Sequence, residues 1–387
     1  MAINIRSIMR QRKCLAFSLC IISCFVLMIK YKMPRSNVTQ HNLNFGRSQM
    51  KNIPQLKDIR RRHFCHDVNA NWPKGFPKIV EKQNYMEQKI PQPFFEFSKY
   101  NNTYLDSIGE IICPTRDEYN SADIISMIAS SWSAYESRMA MRKTLGIFQN
   151  VYGYSHLLVF LIGRTETASI QSRIQREADL YGDILQIDTD DSYRGMTKKR
   201  FQGLKWVLEM CQKASLVLCL TDDVVVHMPN LIKTLQPIRE VKKLAFGGIN
   251  TNIGKVVTKG KNGIFSEPSL NWTAYPYIPD YLLGFAIVVS VDVATDLYKL
   301  VCKTPMTFSD DSYIGILLAM LDIPMRESGW RERDNEDRQL GKSYNKTKLK
   351  ELIHTYNPIF THLYSDNATA YMMEEIWKDL NLNKPSL

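Results

Sequence analysis

The chain has 387 residues, too many for one small domain and enough for one large α/β catalytic domain plus an appendage. Its hydrophobic fraction of 44% is ordinary for a globular protein. The net charge of +11 raises nucleic acid as a partner, but no stretch interleaves aromatics with Arg and Lys, so the charge reads as solvated surface with some attraction to anionic substrates or headgroups.

Cys14 to Ile29 (CLAFSLCIISCFVLMI) form the only long uncharged apolar run. Arg6, Arg10, Arg12 and Lys13 precede it; Lys30, Lys32 and Arg35 follow. The run is short for a plasma-membrane span and tolerable in the thinner bilayer of the early secretory pathway. A cleaved signal peptide is the rival, but no small-x-small cleavage site follows, so a retained signal anchor with a cytosolic N-terminus is expected. This divides the chain into a tail (1–13), an anchor (14–30), a polar, Pro-punctuated stem (31–115) and a lumenal domain (116–387). Five glycosylation sequons, at Asn37, Asn101, Asn271, Asn345 and Asn367, fall after the anchor and support a lumenal location, with the Golgi membrane as the expected site. The lumenal cysteines are Cys65, Cys113, Cys211, Cys219 and Cys302; the number is odd, so at least one stays free or pairs between chains. Cys211 and Cys219 sit in core-like patterns. His63-Phe-Cys-His66 lacks a second pair of metal-capable residues, so no zinc site is expected there.

From Asp123 strands and helices alternate. Ile124–Ala129, His156–Ile162 and Asp183–Ile187 read as strands; Glu136–Gln149, Thr167–Tyr181 and Thr197–Cys211 read as helices. Ser215 to His227 (SLVLCLTDDVVVH) is a buried strand that ends in two carboxylates and resumes as three valines. Pro229 opens a helix, and Leu244–Gly248 is a further strand. After a Gly/Lys-rich loop at Gly254–Gly263, Leu282–Ser290 is another buried run, followed by a helix from Asp292 to Val301. Ser309 is a good N-cap for a helix whose first turn holds Asp310 and Asp311. The alternation predicts a doubly wound, mostly parallel sheet.

Ligands in such sheets gather at the carboxyl ends of strands. Asp222 and Asp223 are therefore placed to hold a divalent cation carrying a diphosphate, Mn²⁺ or Mg²⁺; the plain alternative is a turn pair. For Asp310 and Asp311 the plain alternative is complementing the helix dipole.

Several stretches together resemble the β1,3-galactosyltransferase and β1,3-N-acetylglucosaminyltransferase family (glycosyltransferase family 31). Arg138 to Gly146 is similar to its RxxxRxTWG motif, with Leu145 in place of Trp. Phe160–Gly163 is similar to FLLG. Glu177, Tyr181–Leu185, Asp188, Asp191, Tyr193, Thr197 and Lys199 follow its E…YGDIL…DFxDxYxNLTxKT run; Trp206 and Cys211 match a later Trp and Cys. Thr221–His227 is similar to DDDVFVN, Tyr281–Ser290 to YCSGxGYVLS, and Asp310–Gly315 to EDVYVG; His362 and Trp377 echo the C-terminal His and Trp. The similarity spans roughly residues 123–380. The resemblance implies a GT-A fold, a UDP-sugar donor, a divalent metal and inverting transfer to a glycan acceptor on protein or lipid. It implies Asp223 as metal ligand, Asp222 on metal or ribose, His362 as a further ligand, and Asp311 as catalytic base. Arg138, Arg142 and Lys199 fall on basic positions expected to face the nucleotide, with a fold-bracing salt bridge as the alternative for each. The chain departs from the pattern at Thr221, which replaces the first Asp of the triple. It departs again at Cys219, where a Lys is usual, at Leu220, and at Leu282 and Leu317, where cysteines are usual. The expected protein is an inverting Golgi β1,3-glycosyltransferase, a single-pass type II membrane protein; the alternative is a non-catalytic glycan-binding or chaperone-like relative.

Overall fold

The computed structural model describes residues 110–236, 242–250, 279–304, 306–307, 309–328, 359–363 and 369–380. All of them fall in one compact unit, Arg62–Leu387. The expected tail and anchor, the stem before residue 110, all five sequons, the His63–His66 cluster and the Gly254–Gly263 loop lie outside the described residues. Among the described residues no helix is long and apolar enough to cross a membrane.

The main sheet runs in the order β1-β5-β4-β2-β6-β9-β8-β10, with β3 (Asn150–Val151) paired to β4 off this path. Its centre is parallel: β5 (Ile184–Asp190), β4 (Tyr154–Arg164), β2 (Ile124–Ala129) and β6 (Leu216–Thr221). Beyond β6 the direction changes. β9 (Tyr281–Ser290) is antiparallel to both β6 and β8 (Ala245–Asn250), and β10 (Met325–Glu327) is parallel to β8. The sheet is thus mixed, not mostly parallel. A continuous apolar run such as Leu282–Ser290 reports burial on both faces but carries no direction. At the other edge, β1 (Glu110–Ile112) pairs antiparallel with β5, so residues within the expected stem range form an edge strand of the main sheet.

Side chains along β2 and β6 alternate between two cores, as the period of a strand requires. Ile125, Met127, Val217 and Cys219 face one; Ile124, Ile128, Leu216, Leu218 and Leu220 face the other. The first core is covered by α3 (Met196–Met210), α5 (Val291–Val301) and α6 (Asp310–Met320). The second is covered by α1 (Tyr135–Lys143), α2 (Ala168–Tyr181), α4 (Met228–Leu235) and α7 (Thr369–Asp379). Leu282 and Leu317, the two departures from cysteine, are both fully buried in the first core. Cys211 and Cys219 are buried thiols outside any disulfide, and Cys302 is disulfide-bonded.

Two local differences bear on the site. α1 stops at Lys143, short of the expected Gln149, because the Thr144 hydroxyl donates back to the Ala140 carbonyl at 2.7 Å and the chain tightens into a short 3₁₀ turn. The three valines do not continue β6. They form β7 (Val224–Val226), which pairs antiparallel with β11 (Phe360–His362) in a separate small sheet. Asp222 and Asp223 are the turn at which the chain leaves the main sheet.

Candidate active site

The acidic turn is built by its flanks. Asp223 receives the Thr221 hydroxyl at 2.5 Å, and its other carboxylate oxygen lies 3.0 Å from His362 Nε2. The β7–β11 register brings His362 there, since it stands opposite Val224, and the Leu363 amide donates to the Asp223 carbonyl at 2.8 Å. Phe285 stacks on the imidazole, with ring centroids 4.6 Å apart and planes 14° from parallel. Burial pushes the Asp223 carboxyl up, but His362 and Thr221 outweigh it and hold it below the usual range. Asp223 keeps 31% of its side-chain surface exposed, so a ligand can reach it. Asp222 turns towards Ser130, whose hydroxyl donates to it at 2.6 Å; burial, with Asp223 adding to it, pushes this carboxyl up to about 6.

Among the described residues no three His, Cys, Asp or Glu groups meet as a closed cluster. Asp223 and His362 meet as a pair, with Asp222 adjacent. An open oxygen-and-imidazole set suits a divalent cation that completes its shell with diphosphate oxygens and water, so the residues present fit Mn²⁺ or Mg²⁺.

The three basic positions lie behind this turn. Arg138 is 1% exposed and grips Glu177 with two hydrogen bonds of 2.8 and 2.7 Å. It also donates to the Ser130 hydroxyl and the Ser131 carbonyl. Arg142 pairs with Asp183 and Glu177 at 2.8 Å each and lies 3.9 Å from the Tyr181 ring centroid. Burial opposes the charge of Glu177, but Arg138 and then Arg142 hold its carboxyl low. Lys199 is buried, 2.5 Å from Asp191 and 3.0 Å from the Ser130 carbonyl. Asp191 in turn accepts from the Trp132 and Gly163 amides. All three cations are taken up by internal carboxylates, which is the fold-bracing alternative, and Arg138 and Lys199 also reach the Ser130–Ser131 segment that supports Asp222.

Asp311 stands at the start of α6. Ser309 occupies the N-cap position, but its hydroxyl donates to Asp311 at 2.8 Å instead of accepting from the helix, and the Ser312 amide donates to the same oxygen at 2.7 Å. A helix start by itself lowers a carboxyl. This one is instead pushed up to about 6, by burial first and by Asp310 second, against the weaker pull of Ser309, Ser312 and Arg200. Gly284 of β9 lies against it: a Cβ on Gly284 would sit 3.1 Å from the Asp311 Cβ. Gly315, one turn on, lets α6 cross β9 closely, since a Cβ there would be 2.4 Å from the Tyr281 Cβ. Half-exposed Tyr193 is near; burial, then Asp311 and Asp310, push its hydroxyl up to about 12.

These two halves reach one strand end. β6 and β9 pair with Leu220 opposite Ala286, so the turn after Thr221 is level with the start of β9. There Gly284 faces Asp311 on the α6 side, and Phe285 faces His362 on the other. Sequence reasoning missed Ser130, although β2 and β6 pair with Ala129 opposite Thr221, which sets Ser130 beside Asp222. It also missed Phe285, Tyr193 as a neighbour of Asp311, and Arg200, a fully buried guanidinium on a helix read as simply amphipathic.

The sequence profile of the family described as Galactosyltransferase matches residues 136–328, which contain the acidic turn, Gly284 and Asp311. Beta-1,3-galactosyltransferase 1 of Mus musculus is 27% identical over 276 residues, covering 70% of this chain and 78% of that protein. UDP-GalNAc:beta-1,3-N-acetylgalactosaminyltransferase 1 of Mus musculus is 26% identical over 251 residues, covering 63% of this chain and 72% of that protein. Among solved structures, the galactosyltransferase LgtC in complex with donor and acceptor sugar analogues is a distant likeness, with a TM-score of 0.32 at 12% identity, covering 67% of this chain and 95% of that one. The chain belongs to the β1,3-galactosyltransferase family of glycosyltransferases.

Proposed function

We propose that this chain is an inverting β1,3-glycosyltransferase of GT-A type that moves galactose or a related hexose from a UDP-sugar to a glycan hydroxyl on protein or lipid. The observation that carries the reading is the arrangement at the start of β9. Asp311 lies against Gly284, and the Asp223–His362 pair lies against Phe285, one residue on and on the opposite face. An in-line displacement needs a base on one side of the anomeric carbon and support for the leaving group on the other. Asp311 takes the acceptor proton as its oxygen attacks. Asp223 and His362 would hold a divalent cation beside the diphosphate, with Asp222 adjacent, and that cation supplies Lewis-acid stabilisation of the charge on departing UDP. Ser130, fixed by Arg138 and Lys199, keeps Asp222 in place. The relatives named for galactose and for N-acetylgalactosamine transfer support a UDP-hexose donor.

The test is incubation of the full-length protein with a panel of UDP-sugars and acceptors, with Mn²⁺ or with chelator, read by product mass. Metal-dependent transfer or slow donor hydrolysis is expected. UDP–metal binding with no turnover of any donor would favour the non-catalytic relative.

The reading includes a Golgi, type II placement, which rests on the Cys14–Ile29 run and the five sequons after it. Glycosidase treatment of the protein expressed in secretory cells should lower and sharpen its gel band. A band with no glycosidase-sensitive mass would sink the lumenal assignment.

A further inference from the structure

Arg200 has entered the site so far only as a weak pull on the Asp311 carboxyl. It projects from α3 with 2% of its side chain exposed, and a buried guanidinium is costly unless its charge and donors are taken up. Its Nε lies 2.6 Å from Asp310 Oδ2, an ion pair without an aligned hydrogen bond. One terminal nitrogen donates to the Gly284 carbonyl at 2.9 Å. The Cys219 thiol also lies against it: burial pushes that thiol up while Arg200 draws it back. Arg200 therefore ties together β6 through Cys219, β9 through Gly284 and α6 through Asp310, all on the same face of the sheet.

Two of these partners are the neighbours of Asp311. Asp310 precedes it in the chain, and Gly284 touches it across the site. No hydrogen bond or ion pair joins Arg200 to Asp311 itself among the described contacts. Two departures from the family pattern coincide at this spot: Cys219 stands where a Lys is usual, and Arg200 follows Lys199 where the motif has a Thr. The structure puts the lost and the gained cation positions in contact.

Resting on the transferase reading above, we propose that Arg200 is the positioning residue of Asp311, supplying from α3 the cation that this chain lacks at position 219. A purely structural salt bridge is the plain alternative, yet a buried ion pair adds little net stability over an apolar pair of the same volume. The placement does something an apolar pair cannot: it keeps Asp310 compensated, so that two adjacent buried carboxylates share one helix start. The groups that bear on Asp311 are Asp310 and the Ser309 and Ser312 donors on α6, Tyr193 before α3, and Arg200.

The experiment compares wild type, Arg200→Thr, Arg200→Met and the double variant Arg200→Thr/Cys219→Lys in the full-length protein. Three quantities are read: UDP–Mn²⁺ affinity, kcat against pH, and the carboxyl titration of Asp311 by ¹³C NMR with labelled aspartate, assigned by Asp311→Asn. Loss of Arg200 should raise the Asp311 midpoint by about one pH unit, because an opposite charge nearby favours the ionised form. It should lower kcat by about 10²-fold through misplacement of the base, with UDP affinity unchanged. The double variant should return the midpoint and most of kcat. A folded single variant with neither midpoint nor kcat moved overturns the proposal, as does a double variant no better than Arg200→Thr alone. Should the single variants fail to fold, folding and titration of the double variant decide the matter. Because the titration needs no turnover, an inactive wild type would defeat the transferase reading without hiding the role of Arg200.

Discussion

Asp311→Asn should lower sugar transfer by about 10²–10⁴-fold, the usual contribution of a general base, while UDP–metal affinity stays at the wild-type level. The substitution keeps the size of the side chain and its place beside Gly284, and removes the basicity. If the residue only complemented the helix dipole, its loss would cost about 0.3–1 kcal/mol of stability and no rate. The two accounts also differ in sign. The Asp311 carboxyl is raised to about 6, so the folded protein disfavours its charge, and stability contributed at this position falls as pH rises from the ordinary carboxylate range through about 6. At neutral pH Asp311→Asn should therefore unfold no more easily than wild type. The same value sets the acid limb of the rate profile: transfer should fall away as pH drops through about 6, when the base becomes protonated. A variant that folds, binds UDP with metal and transfers sugar at near wild-type rate would show that Asp311 is not the base.

Asp223→Ala should abolish metal-dependent UDP binding in a calorimetric titration with Mn²⁺. The loss should exceed the roughly 10–100-fold that follows removal of a residue that merely orients a metal ligand. Thr221→Ala should stay within that range, because the Thr221 hydroxyl only steers one Asp223 oxygen while His362 holds the other. The departure at Thr221 is thus compatible with a working site: the first acid of the motif is replaced by a donor that aims the third. Unchanged UDP affinity in the Asp223 variant would reduce the acidic pair to a turn.

Strong local signals in the sequence were enough to place the elements of the site. Thr167 precedes α2 and Gly182 closes it in a left-handed conformation, so both ends of that helix are legible from residue type. The run before Asp222 and Asp223 marks a buried strand ending in acids, and Ser309 with the two acids after it marks a helix start. Strand direction was not legible. β9 is apolar along almost its whole length because both its faces are covered, and such a run reads the same whichever way it points. Nor was the break after Asp223 legible, since β7 leaves the sheet for a partner more than a hundred residues later in the chain.

The charges divide along the same line. Asp222, Asp223, Asp311 and His362 could be named from their motifs, but the ionisation of the three carboxyls could not, because it depends on burial and on neighbours brought in by other elements. A helix start by itself lowers a carboxyl; at Asp311 the cover of β9 and α3 and the adjacent Asp310 reverse that sign. Arg138, Arg142 and Lys199 read as nucleotide-facing cations until Glu177, Asp183 and Asp191 arrive from α2, the turn before β5, and the turn after it. Arg200 has no local signal at all: its role exists only where three strand and helix ends meet, and a buried charge takes its meaning from the partners that surround it.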